Sequence, residues 1–164
     1  MKKRTGLPKR SSGFTLVELL VCMAILGLLA SVALPMSEMT VQREKERELK
    51  RSLWEIRDAL DAYRKAREDR AIIGDAGQSP YPPSLIELTK AVPDARVDHQ
   101  GQILRFLRAV PRDPFADPDV PPEKSWGLRS YASEANNPQP GADVYDVHSM
   151  SRAVGLNGVP LSQW

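Results

Sequence analysis

The sequence predicts an α+β protein. It should have a long N-terminal α-helix with a transmembrane first half, then a small C-terminal domain with a short helix and a short antiparallel β-sheet. Three observations carry this. Residues 19–36 hold no charge and run directly into a seam of apolar residues at helical spacing. Near the C-terminus, 126–133 and 143–150 alternate in polarity on either side of the turn-rich EANNPQPG. Finally, 164 residues with 27% charged and 6% aromatic side chains leave room for only one small core beside a membrane element.

Residues 1–13 carry Lys2, Lys3, Arg4, Lys9 and Arg10 and no acid, a charge of +5. The remainder keeps 18 basic against 21 acidic residues, a net of −3. The basic character therefore belongs to the tip, and no nucleic-acid partner is expected, since that needs a basic patch on the folded part. The apolar stretch 14–36 would be about 35 Å long as a helix, enough for a hydrocarbon core of about 30 Å. It shows no polar face, which argues against a core helix of a soluble domain. Five preceding positive charges hold the tip in the cytoplasm and send the C-terminal part across. A secretory signal ends in a small-residue cleavage site after its apolar core. Here no A-x-A pattern follows the run, and the small residue at the charge-to-apolar boundary is Gly13, before it. Cys22 is the single cysteine, so no disulfide framework forms within the chain.

Two residues stand out within the run. Glu18 is a carboxylate among apolar neighbours, at a cost of about 2.5–3.5 kcal/mol on insertion scales unless it is paired. Pro35 lacks an amide proton and opens the helix bond to Ser31. Either a tolerated kink or local melting under packing follows from that.

Beyond the run, Leu49, Leu53, Ile56, Leu60 and Tyr63 step by 4, 3, 4 and 3, and Ala59, Ala62 and Ala66 widen the seam. The charged stretch QREKERE, 42–48, is expected to stay out of the core. Glu46 with Lys50 and Asp61 with Lys65 are spaced as (i, i+4) ion pairs on a solvated face. One helix of about 85 Å would thus run from Phe14 to about Arg70. Its second, amphipathic half is 37–70, and 71–164 forms the globular domain. GDAGQSPYPP, 74–83, breaks the helix. Ser84 with Glu87 reads as a capping box opening a short helix over SLIELTK. Residues 91–125 are proline-rich and irregular, apart from the apolar run 103–110. The alternating segments then suggest an antiparallel hairpin lying across the long helix.

KRSSGFTLVELL resembles the prepilin signal of type IV pilins and type II secretion pseudopilins. Gly13, Phe14, Thr15, Leu16, Val17, Glu18 and Leu19 fall in register with it, and Pro35 matches a proline common in these helices. The resemblance implies a pilin-like fold and a prepilin leader, 1–13. A membrane aspartyl prepilin peptidase would cut between Gly13 and Phe14 and methylate the new amine, leaving a mature chain of 151 residues. Glu18 would then neutralise the amine of a neighbouring subunit and reward correct axial register. The implied location is the bacterial inner membrane, single-pass, with the C-terminal domain in the periplasm and the protein in a pseudopilus after assembly. The later motifs, in order, are similar to the major pseudopilin, the G subunit of type II secretion. They are Tyr81-Pro82-Pro83-Ser84-Leu85, 107–115, Trp126-Gly127-Leu128-Arg129-Ser130-Tyr131 and Tyr145-Asp146-Val147-His148-Ser149. Residues 93–102 are extra to that pattern.

The resemblance implies a structural subunit that polymerises through its N-terminal helix to drive protein export. Its partners would be other copies, other pseudopilins and an inner-membrane secretion platform. Many major pseudopilins bind calcium in an acidic C-terminal loop, but no acid follows Asp146 here. Asp143, Asp146, Ser149 and Asn157 are the candidate oxygen ligands; a metal-free loop, and no cofactor, is the expectation. The alternatives are a type IV pilin for adhesion, motility or DNA uptake, a minor pseudopilin, and a non-filamentous single-pass membrane binding protein. The disulfide that closes many pilins is impossible here. His99 and His148 stand apart from any nucleophile, metal-spacing or phosphate-loop pattern, so no enzyme is expected.

Overall fold

The structure, a computed structural model, describes residues 15–74, 77–99 and 101–164, with the side chains of 32–38 left aside. The chain separates into two compact units, Met1–Val41 and Gln42–Trp164. An α-helix, α1, runs over Leu16–Glu68 and contributes to both. The fold class is α+β, with a long N-terminal helix and two short antiparallel ribbons.

In the first unit α1 starts one residue after Thr15, whose Oγ accepts the Glu18 N–H at 3.3 Å. Leu16, Val17, Leu19, Leu20, Val21, Met23, Ile25, Leu26, Leu28 and Leu29 are all more than half exposed. Among the described residues no helix is long and apolar enough to cross a membrane. The span expected over 14–36 includes Phe14 and the side chains of 32–36, which lie outside those residues.

In the second unit the expected seam is the core. Leu49, Leu53, Ile56, Ala59, Leu60 and Tyr63 of α1 are buried against Leu85, Leu88, Leu107, Trp126, Val144, Val147 and Leu161. Ala62, read as part of the seam, faces solvent instead. The helix ends where Arg70 takes a left-handed backbone with φ 57°. The Ala71 and Ile72 amides then both return to the Ala66 carbonyl, at 2.8 and 3.1 Å, a tight C-terminal closure usually made with glycine.

The short helix after the break is a 3-10 turn, Leu85–Thr89. The expected capping box does not form. Ser84 makes no side-chain cap bond, and Glu87 pairs with Lys90 at 2.6 Å. Strand β1, Val92–Pro93, pairs with β2, Ile103–Leu104, a ribbon that the proline-rich composition concealed. The link between them is held by a fork of Arg96 on Asp94, which keeps the Asp94 carboxyl at about 2. The expected hairpin is present but shorter than read: β3, Trp126–Arg129, pairs with β4, Asp146–Ser149, with Gly127 opposite His148. That pairing explains Gly127, because a Cβ there would lie 2.3 Å from the His148 ring.

Candidate functional site

The expected N-terminal site is described only in part. Gly13 and Phe14 lie outside the described residues. Glu18 is exposed and lies in the first turn of α1, where a carboxylate complements the helix dipole. Together with Thr15 it has the T-x-x-E spacing of a helix start, with the Thr15 Oγ taking the Glu18 amide proton. That local signal was available in the sequence and marks Thr15 as the residue that opens α1. Position 35 lies within the bounds of α1, and the side chain of Pro35 is among those not described.

The four candidate ligands near the C-terminus are each engaged by a different protein group. The Asp143 carboxylate accepts the Tyr131 N–H at 2.9 Å. The Asp146 Oδ1 accepts from the Arg57 Nε at 2.8 Å, and its Oδ2 lies 3.9 Å from the Arg129 guanidinium. The Ser149 hydroxyl donates to the Asp113 Oδ2 at 2.6 Å. The Asn157 Oδ1 accepts the Val159 N–H at 3.0 Å. Among the described residues no group of three or more His, Cys, Asp or Glu side chains is placed to hold a metal ion.

What the fold brings together instead is a set of bonds joining α1 to the last third of the chain. Arg57 donates to Asp146, to the Val147 carbonyl at 3.2 Å and to a main-chain oxygen of Trp164 at 2.9 Å. Glu46, only 9% exposed, accepts the Leu156 N–H at 2.8 Å and a Gln42 amide proton at 3.1 Å. Lys50 sits 4.5 Å above the ring of Trp164. The expectation that Glu46 lies on a solvated face is corrected here. Neither the Glu46–Lys50 nor the Asp61–Lys65 pair is among the ion pairs formed by the described residues, which on α1 are Arg47–Glu44, Arg57–Asp146 and Arg64–Glu68.

The loose later motifs meet at a second node. Asp113, fully enclosed, receives the Ser149 hydroxyl and the Phe115 N–H, and its own N–H donates to the buried Ser125 Oγ. The Trp126 indole donates to the Pro111 carbonyl at 2.8 Å. One buried cluster thus accounts for the D-P-F, W-G and D-V-H-S stretches. Tyr81, Tyr131 and Tyr145 form a mutual ring cluster alongside, with centroids 5.0–5.8 Å apart. His148 shares a strand face with Asp146, and burial lowers its pKa, against the opposing pull of Asp146. Its ring covers Gly127, a packing role.

Residues 8–34 match the prokaryotic N-terminal methylation motif. The chain is 28% identical over 110 residues to the type II secretion system core protein G of Aeromonas hydrophila, covering 67% of this chain and 71% of the relative. It is 30% identical over 107 residues to the protein of the same name from Klebsiella pneumoniae, covering 65% and 71%. No solved structure matches it.

Proposed function

We infer the function from one premise: this chain belongs to the family of type II secretion system core protein G, the major pseudopilins. It is a structural subunit of the type II secretion pseudopilus. The carrying observation is the N-terminal methylation motif at 8–34 on a chain that aligns with core protein G over 107–110 residues.

The finer reading concerns how the subunit is made and joined. Prepilin peptidase cuts between Gly13 and Phe14 and methylates the Phe14 amine, which stays cationic. The apolar helix holds the subunit in the inner membrane with its outer unit in the periplasm, and assembly extracts that helix into the filament. Glu18 takes the amine of an incoming subunit, because a mis-staggered helix would leave one charge unpaired among apolar side chains. The position of Glu18 in the first turn of α1, where the Thr15 hydroxyl accepts its backbone N–H, supports this by putting the acid at the start of the helix. Other pseudopilins and the inner-membrane platform are its partners, and its work is mechanical rather than catalytic.

Two measurements test this. Intact mass of the membrane-extracted protein should show loss of 13 residues and gain of one methyl group when prepilin peptidase is present. A chain retaining 1–13 would instead be a single-pass membrane protein without a filament. Glu18→Ala should be processed normally yet enter isolated pseudopili at least about tenfold less, the effect of losing roughly 1.4 kcal/mol at one contact. Equal incorporation of both forms would remove Glu18 from assembly.

A further inference from the structure

We propose that Arg57 is the cation that closes the C-terminal segment onto α1, and that the outer unit therefore keeps its fold without a divalent metal. Calcium takes about six to eight oxygen ligands, commonly with several carboxylates among them. Asp143, Asp146, Ser149 and Asn157 do not fit that requirement. They include two carboxylates. Asp146 is held by Arg57 with Arg129 nearby, and Asp143 is 8% exposed and bonded to the Tyr131 amide. The Ser149 hydroxyl is directed at Asp113, and the Asn157 carbonyl oxygen is used within its own turn. A metal ion at these residues would compete with the Arg57 guanidinium for Asp146 and with protein bonds at the other three.

Arg57 already binds oxygens of the kind a hard cation would take. It engages one side-chain carboxylate oxygen and two main-chain oxygens, at 2.8, 3.2 and 2.9 Å, from β4 and from Trp164. The guanidinium suits this because its N–H groups point in fixed directions and can reach separate acceptors at once. Lys50 over the Trp164 ring and Glu46 on the Leu156 amide hold the same segment at further points. The inference rests on the fold of the outer unit and is independent of whether the chain forms filaments.

The experiment follows thermal unfolding and hydrogen exchange of the full chain, extracted in detergent, in excess EDTA and in millimolar calcium chloride. The native chain should give one Tm in both conditions. Arg57→Met should lower Tm by about 5 °C or more and speed exchange across 147–164, and calcium should restore neither. Arg57→Lys should recover only part of the loss, since an ammonium cannot present the same fork. If Arg57→Met fails to fold, Asp146→Asn reports on the same contact, with a smaller Tm loss in the same segment. A native Tm that falls in EDTA or rises with calcium would overturn the proposal. So would unchanged exchange over 147–164 in both the Arg57→Met and Asp146→Asn chains.

Discussion

At the scale of single residues, Gly127 and His148 show how two loosely spaced motifs depend on each other. The imidazole occupies the space that a side chain at 127 would need. Gly127→Ala should therefore destabilise the second unit by about 1–3 kcal/mol, the usual range for overpacking a filled site. Gly127→Ala combined with His148→Ser should regain most of that loss, and chemical denaturation of the single and double variants checks it. The Trp126 and Asp113 contacts belong to the same scale. Their partners, Pro111 and Ser149, lie 15 and 36 residues away, so pattern alone could not pair them. Thr15 was more accessible, because its role follows from the local T-x-x-E spacing.

Among the elements, α1 was the most legible. The steps of 4 and 3 from Leu49 to Tyr63 named its buried face, and all five of those residues are buried. The same spacing continues backward onto Glu46 and Gln42. Their polarity hid the fact that they too face the domain, where backbone amides and carbonyls rather than apolar side chains await them. The hairpin was legible in type and overlong in extent, because alternation continues past the four paired residues of each strand. β1 and β2 were not legible, since a two-residue strand containing Pro93 has no period to detect. The end of α1 carries a prediction of its own. Arg70 occupies a left-handed position that costs a side chain conformational energy. Arg70→Gly should stabilise the unit by about 0.5–1 kcal/mol, read as a rise in the denaturant midpoint at constant slope.

For the molecule as a whole, the division at Val41 and Gln42 separates two kinds of surface. Ahead of it, the apolar side chains from Leu16 to Leu29 are exposed; beyond it, the seam is covered by the chain's own domain. A fragment of 42–164 should then unfold in one cooperative transition, because the core draws on α1 only from Leu49 onward. Calorimetry of that fragment, compared with its van't Hoff enthalpy, checks this. The two anchors on α1 also have a mechanical meaning. Glu46 and Arg57 are eleven residues apart, about 16 Å along a helix axis, and each grips a different part of the same terminal segment. Tension along the helix therefore loads both fastenings together, in shear, instead of peeling them open one after the other.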